Sequence, residues 1–169
     1  MQARLLPTDR RPPGRQVMVE VYLFRPAPAG LLAYRCLSGY LNAAESPDMA
    51  AARIGGIAAG PAEGPAALHS TSWRHRADGS IVLTYAVLPD PRPDLPAVPL
   101  ASLGIARGAR PDRPSPEQVN RDQVAAHAAR HLAMVARTDP GVRGVVTGYP
   151  ALGRVLEALP GAPAGQLSE

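Results

Sequence analysis

The segment from Gln16 to Phe24 places the strongest constraint on how this chain can fold. Its residues alternate with a period of two and include valine, tyrosine and phenylalanine, which favour β-strands. Both faces of the predicted strand are apolar, since Val19 and Val21 share one face while Tyr22 lies on the other. Because apolar surface is stable only when it is covered, we expect a central strand of a sheet, covered on both sides.

Three further strands follow from the pattern of apolar residues and turns. The strand at 31–37 comes after the turn-forming sequence RPAPAG, so it is expected to pair with the first strand. Strands at 67–74 and 80–88 flank Asp78-Gly79, a dipeptide typical of a tight hairpin with a type I′ turn. The sequence therefore predicts two hairpins.

Between these hairpins, the segment from Gly39 to Gly60 predicts a loop followed by a helix. Ser46 is a favourable N-cap, Pro47 fits the first helical position, and Asp48 complements the helix dipole. Apolar residues then recur at helical spacing. We expect the helix to begin at Pro47 and to end at Gly60.

Four residues of this segment carry a family resemblance. The order Gly39, five residues, Glu45, seven residues, Arg53 and then Gly60 resembles the Nudix box. This box is the loop-helix-loop signature of enzymes that hydrolyse nucleoside diphosphates linked to another group. In that family a glutamate directly follows the arginine, and two adjacent glutamates come three residues later. Together they hold magnesium ions and assist the attacking water.

The metal-binding glutamates of the box are absent from this chain. Their places are occupied by Ile54, Ile57 and Ala58. Magnesium takes oxygen ligands, which an aliphatic side chain cannot provide. If the domain is active and uses Mg²⁺, its carboxylates must come from elsewhere. The candidate catalytic residues are then Glu45, Arg53 and Glu63, with Asp48 also close in sequence.

The resemblance implies an α+β fold in which a mixed β-sheet is flanked by helices, as an α/β/α sandwich within a single domain. The expected organisation is a flexible lead at 1–15, a Nudix-like domain at 16–146, a C-terminal helix at 147–159 and a disordered tail at 160–169. The proline-rich stretch 89–99 is expected to run extended over the surface, and 100–106 is expected to form one more strand.

The strand at 67–74 and the residue after it carry a dense row of polar and aromatic side chains. Alternation predicts that His69, Thr71, Trp73 and His75 share one face. In one interpretation the row binds a ligand, with Trp73 stacking on a base and Arg74 contacting a phosphate. In the other, which we favour, the strand is half-exposed and Trp73 anchors the core. The candidate ligand-binding residues are His69, Thr71, Trp73, Arg74 and His75.

A long amphipathic helix is predicted from Ser115 to Thr138, because Ser115 and Gln118 fit a capping box. His127 and His131 lie four residues apart on this helix, so both rings are on one side and could share a metal ion. No cysteine is near, and the glutamate of the zinc-protease pattern is missing. We therefore favour half-buried histidines bonded to neighbours over a metal site. No metal is assigned apart from Mg²⁺ in an active form.

Composition excludes several classes of function. All 18 basic residues are arginine, which excludes a Walker A lysine, a Schiff-base lysine and a serine-lysine pair. The chain has a formal net charge of +4, and its arginines are scattered along the sequence, so nucleic acid is not an expected partner. Cys36 is the single cysteine, which excludes an intramolecular disulfide, and it is expected to be a small core residue. The abundance of Ala, Gly, Pro and Arg is typical of a GC-rich bacterial genome.

The chain shows no signal sequence and no run of 18 apolar residues. We therefore expect a cytoplasmic protein without a membrane partner. A short helix at 149–159 should pack on the domain or on a partner, and a homodimer is one such arrangement. The apolar stripe of that helix contains Leu152, Val155, Leu156 and Leu159.

Three hypotheses remain open. In the favoured one, a degenerate Nudix-like domain is catalytically impaired and binds a nucleotide or another small phosphorylated ligand, or has a structural role. In the second, an active Nudix-type pyrophosphohydrolase uses relocated carboxylates, with Glu45, Asp48 and Glu63 as candidates. In the third, the chain is a non-enzymatic interaction module that uses its terminal helix.

Overall fold

The computed structural model describes residues 17–57, 66–110, 112, 116 and 118–161. The predicted lead at 1–15, the candidate residue Glu63 and residues 162–169 of the predicted tail lie outside the described residues.

Five β-strands form one mixed sheet. Their bounds are β1 Val17–Ala27, β2 Leu31–Tyr40, β3 Ala67–His75, β4 Ile81–Leu88 and β5 Val98–Pro99. The strand order is β3-β4-β1-β2-β5. β1 pairs antiparallel with β2 and parallel with β4, and the other neighbouring strands are antiparallel. The prediction of a central first strand is therefore confirmed.

Both predicted hairpins are present, but the turn between β3 and β4 differs from the predicted type. In the connecting loop 76–80, Gly79 has a positive φ of +83°, whereas Asp78 does not have a positive φ. The Asp78 side chain instead accepts hydrogen bonds from the main-chain N of Ser80 at 2.9 Å and from its hydroxyl at 2.6 Å. The prediction of a type I′ turn is wrong, because the Asp78 side chain stabilises a longer loop at 76–80.

Four α-helices complete the fold: α1 Pro47–Gly55, α2 Arg121–Thr138, α3 Pro140–Thr147 and α4 Pro150–Ala158. α1 begins at Pro47 as predicted, and the Ser46 hydroxyl accepts a hydrogen bond from Met49 N at 3.2 Å. The predicted end at Gly60 is wrong. Gly56 adopts a left-handed φ of +67°, and its N–H is donated to main-chain oxygens of the last turn, which ends the helix.

The predicted start of α2 at Ser115 is also wrong. Asn120 is the N-cap, since its side chain accepts a hydrogen bond from Gln123 N at 2.8 Å. The Gln123 side chain accepts one from Asn120 N at 3.1 Å, which completes a capping box. The predicted end at Thr138 is confirmed. Asp139 then caps α3, a helix that the sequence analysis did not predict.

The strand predicted at 100–106 is absent, and β5 lies just before it. Leu100 N donates to Leu32 O at 2.8 Å, and the Leu100 side chain is buried. Beyond it, Gly104 N donates to the Ser102 hydroxyl at 3.1 Å, a local bond that competes with strand pairing. The proline-rich connection before β5 is fixed by Asp90, which is buried and accepts two hydrogen bonds from Arg35.

The sheet is covered by helices on both faces. On one face, Val21 and its alternate neighbours in β1 pack with Ala50 and Ala51 of α1. On the other, Tyr22 and Phe24 belong to a larger apolar cluster with α2, α3 and α4. The protein is thus a single mixed α+β domain in which a five-stranded sheet lies between two helical layers.

Candidate functional site

The loop at 41–46 and α1 bring Glu45 and Arg53 together. Arg53 Nε donates to Glu45 Oε1 and its Nη2 donates to Glu45 Oε2, both at 2.8 Å. Bidentate, charge-assisted bonds of this kind fix the orientation of both side chains. Arg53 Nη2 also donates to the main-chain oxygen of Tyr40 at 3.1 Å. Arg53 therefore links the helix to the loop and to the end of β2.

The Glu45 carboxylate serves as a structural acceptor. Its Oε2 also accepts a hydrogen bond from the main-chain N of Asn42 at 2.9 Å. The bond from Arg53, followed by the bond from Asn42, lowers the pKa of Glu45 to about 2. A carboxylate with so low a pKa is a weak base near neutral pH. Glu45 is therefore suited to closing the loop rather than to activating water.

Two of the positions at which the Nudix-like pattern has glutamates, those of Ile54 and Ile57, lie against the sheet. Ile54 and Ile57 are partly buried, and both pack against the apolar cluster between α1 and the sheet. A Cβ at Gly39 would lie 3.1 Å from Ile54 Cδ1, so the glycine leaves room for this side chain. Ala58 lies outside the described residues. At both described positions the side chain is apolar and packed, so it offers no oxygen ligand to a magnesium ion.

The other acidic candidates do not assemble a metal centre in the described structure. Asp48 accepts a hydrogen bond of 2.6 Å from the Tyr85 hydroxyl, which anchors the first turn of α1 to β4. Burial, followed by this bond, raises the pKa of Tyr85 to about 12. Glu63 is not among the described residues. Across 17–57, 66–110 and 118–161, no group of three or more His, Cys, Asp or Glu is arranged to hold a metal ion.

A β-bulge interrupts the polar row on β3. The register with β4 shifts between Ser70 and Ser72, so Thr71 is the extra residue. Thr71 is buried, and its hydroxyl donates to the main-chain oxygen of Thr84 at 3.2 Å. One inserted residue moves the later side chains to the opposite face of the sheet. The prediction that His69, Thr71, Trp73 and His75 share one face is therefore wrong.

Trp73 lies on the α1 side of the sheet, where it pairs with Leu83. Its side chain is 68% exposed, so the interpretation that it anchors the core is wrong. His75 is exposed on the same face of the strand. Exposed tryptophan is uncommon on a protein surface and is enriched at sites of recognition. Trp73 and His75 are thus the members of the row that a ligand can reach on this face.

Arg74 points to the other face and is bound by the protein itself. Its Nη2 donates to Glu20 Oε1 at 2.6 Å and its Nη1 donates to the Thr84 hydroxyl at 3.3 Å. Glu20 is 8% exposed, and a second guanidinium, that of Arg76, lies 3.7 Å from the same oxygen. Arg74 therefore compensates a buried carboxylate. The sequence analysis missed this role, although Glu20 is the one charged residue in its apolar run.

Three histidines meet where β3 packs on α2. The ring centroid of His131 is 5.1 Å from that of His69 and 6.3 Å from that of His127. Burial, followed by the nearby charge of Arg130, lowers the pKa of His127. Burial, followed by the two other histidines, lowers the pKa of His131. The half-buried placement agrees with the favoured prediction, and the third ring was not predicted.

Cys36 lies on β2 and packs, partly buried, against the larger apolar cluster. Burial raises the pKa of its thiol, which keeps it protonated at neutral pH. This environment is that of a small core residue and does not favour a nucleophile.

Comparisons with protein family models, with curated proteins and with solved structures find no match. The fold defines the protein as a mixed α+β domain. The resemblance to the Nudix box depends only on the spacing of Gly39, Glu45, Arg53 and Gly60. None of the helices in the described part of the chain has both the length and the hydrophobicity to span a bilayer.

Proposed function

We propose that this chain is a Nudix-like domain that has lost hydrolysis and binds a nucleotide or another small phosphorylated ligand in the cytoplasm. One observation carries the proposal. Glu45 and Arg53 hold the loop and helix of the box together, whereas Ile54 and Ile57 occupy places that glutamates fill in the family. A domain that keeps the framework of a box without its metal ligands keeps its fold and loses its chemistry.

The loss of hydrolysis follows from the side chains around α1. Ile54 and Ile57 pack into the apolar cluster and offer no oxygen to a magnesium ion. The described carboxylates beside them are engaged, Glu45 by Arg53 and Asp48 by Tyr85. Recruiting either one as a metal ligand would break a bond that holds α1 in place.

Ligand binding is supported by the exposed indole on the same side of the sheet as α1. Stacking of an aromatic side chain on a nucleobase is worth about 1–3 kcal/mol. Trp73 offers that surface at 68% exposure, and His75 is the exposed polar group on the same face. Arg74 does not supply the phosphate contact, because Glu20 holds its guanidinium.

A turnover assay tests the catalytic part of the proposal. The purified protein is incubated with pooled nucleoside diphosphate derivatives and Mg²⁺ or Mn²⁺, and products are read by mass spectrometry against a no-protein control. We expect no cleavage above that control. Cleavage that is lost in Glu45→Gln or Glu63→Gln but kept in Asp94→Asn would contradict the proposal and favour the active hydrolase. Asp94 is a matched control because it is an exposed carboxylate paired with Arg92 and belongs neither to the loop at 41–46 nor to α1.

The binding part can be read from the protein's own fluorescence, because Trp73 is its only tryptophan. We expect a nucleotide such as ADP to quench this emission saturably. By equilibrium dialysis, Trp73→Leu should bind about tenfold more weakly and Trp73→Phe nearly as well as wild type. Tyr40→Leu is the control, since Tyr40 is 55% exposed on the opposite face. Equal affinity in Trp73→Leu and wild type would remove Trp73 from the site.

A further inference from the structure

A cavity of about 600 Å³ lies between α2, α3 and α4. This volume is within the range of about 300–1,000 Å³ that small-molecule sites occupy. None of its lining residues belongs to the Nudix-like box or to β3. The cavity is therefore separate from the nucleotide site proposed above.

The floor of the cavity is apolar and is made largely by small side chains. Ala133 and Ala136 contribute from α2, Val146 from α3, and Gly153 with Leu156 from α4. Gly153 contributes no side chain to the floor, and a Cβ there would be in van der Waals contact with Val146 Cγ1, at 3.4 Å. The small residues thus leave space that a hydrocarbon or aromatic body can fill.

The rim is strongly cationic, because each of the three helices contributes one arginine. Arg137 comes from α2, Arg143 from α3 and Arg154 from α4, and Glu157 is the one acid among the described lining residues. Within the described part of the chain, none of the three arginines forms a salt bridge. Their charge is thus offset by a single carboxylate.

Main-chain oxygens hold two of these guanidiniums without neutralising them. Arg137 Nη2 donates to the oxygens of Glu157 and Leu159 at 3.1 and 2.8 Å, and Arg143 Nη2 donates to the oxygen of Arg137 at 3.2 Å. A carbonyl orients a guanidinium but carries no net charge. The positive charge therefore remains at the mouth of the cavity, where it favours an anion.

We propose that this cavity binds a small phosphate monoester, with the phosphate at the arginine rim and an apolar body on the floor. Three arginines from three helices suit the several oxygens of a phosphate better than the two oxygens of a carboxylate. The apolar floor adds affinity for the body of the ligand through burial.

The test uses phenyl phosphate, measured by isothermal titration calorimetry against the whole 169-residue chain. Inorganic phosphate supplies the charge without the apolar body, and benzoate supplies the body with a carboxylate. We expect saturable binding of phenyl phosphate to one site and weaker binding of both other probes. Inorganic phosphate or benzoate binding as tightly as phenyl phosphate would overturn the assignment of the ligand class.

Two charge-removing variants locate the site. Arg143→Gln and Arg154→Gln should each weaken phenyl phosphate binding about tenfold, the cost of one charge-assisted hydrogen bond. Arg110→Gln is the matched control, since Arg110 is exposed, pairs with Asp112 and lies outside the cavity. It should change the affinity by less than about twofold. Equal affinity in wild type and both cavity variants would overturn the proposal.

A cavity-filling variant tests the floor independently of charge. Ala136→Phe should abolish phenyl phosphate binding, provided that its circular dichroism matches wild type, and undiminished binding would overturn the proposed position. Trp73→Leu should bind phenyl phosphate as wild type does, because Trp73 is not a lining residue and lies on the α1 side of the sheet. Failure of this proposal can therefore be told apart from failure of the nucleotide site.

Discussion

Arg53 donates two hydrogen bonds of 2.8 Å to Glu45, one to each carboxylate oxygen. The pair joins the loop at 41–46 to the last turn of α1, and Asn42 N adds a third bond to the same carboxylate. These three bonds serve the structure of the loop and the helix. Ile54 and Ile57, which follow Arg53 in the sequence, serve packing.

The first prediction concerns the pH dependence of this pair. The pKa of Glu45 in the folded protein is about 2, below its ordinary value of 4.5, because Arg53 and Asn42 bind the ionised form. The folded state therefore binds the proton less tightly than the unfolded state. The stabilisation is complete above about pH 4.5 and is lost as the pH falls toward 2.

Wild-type Tm should accordingly exceed that of Glu45→Gln by a steady margin from about pH 5 to 7, and the margin should shrink at lower pH. A carbon-detected NMR titration of the Glu45 carboxyl checks the pKa directly. Glu157→Gln is the control, because Glu157 is exposed and forms no salt bridge within the described residues. A margin that does not change with pH would show that the pair does not form.

A second prediction concerns the buried carboxylate of Glu20. Glu20 is 8% exposed in the folded protein, and Arg74→Ala would leave only Arg76, at 3.7 Å, to compensate its charge. Removing one partner of a buried pair costs about 3 kcal/mol or more. Because Arg76 remains, urea unfolding should report a loss of unfolding free energy of about 3 kcal/mol, at the lower end of that range. Changing both partners, as Glu20→Leu with Arg74→Met, should recover most of that loss. A double variant no more stable than Arg74→Ala would contradict this account.

Much of the fold could be predicted because it depends on local patterns. Alternation from 16 to 24 identified the central strand, and Ser46 with Pro47 identified the start of α1. These signals act within a few residues and need no knowledge of what packs against them. The start of α2 shows the limit: Ser115 and Asn120 both begin a capping-box pattern, and the buried stripe of the helix starts only at Val124. The cap at Asn120 therefore starts the helix one turn before the first buried residue of the stripe.

The parts that failed depend on contacts between distant segments. No local sequence signal near Thr71 predicts a bulge, and that single inserted residue places Trp73 on the face opposite His69, with which it was predicted to share a face. Asp139 and Pro140 are compatible with the end of α2, and the same residues also make the N-cap and the first helical position of α3. The cationic cavity draws one arginine from each of three helices, so spacing along the chain gives no sign of it.

The third prediction uses the three histidines between β3 and α2. The pKa values of His127 and His131 are lowered, chiefly by burial, so the folded state binds fewer protons than the unfolded state. Stability is then full above the ordinary pKa of about 6.5 and falls as the pH drops below it. Tm should decrease between about pH 7.5 and 5.5 in wild type. His131→Gln, which cannot be protonated, should show a smaller decrease, while His75→Gln, an exposed control, should match wild type.

The last prediction separates the folding role of α4 from a role in binding partners. Leu152 and Leu156 are at most 2% exposed and belong to the cluster that covers the sheet, so the apolar stripe of α4 faces its own domain. Leu152→Ala should cost about 3 kcal/mol of unfolding free energy, whereas Glu157→Ala on the exposed side of the helix should cost less than about 0.5. Deleting 149–169 should unfold the protein, as seen by circular dichroism. A deletion that stays folded and changes only the oligomeric state would instead favour the interaction module, because the helix would then be dispensable to the core that it lines.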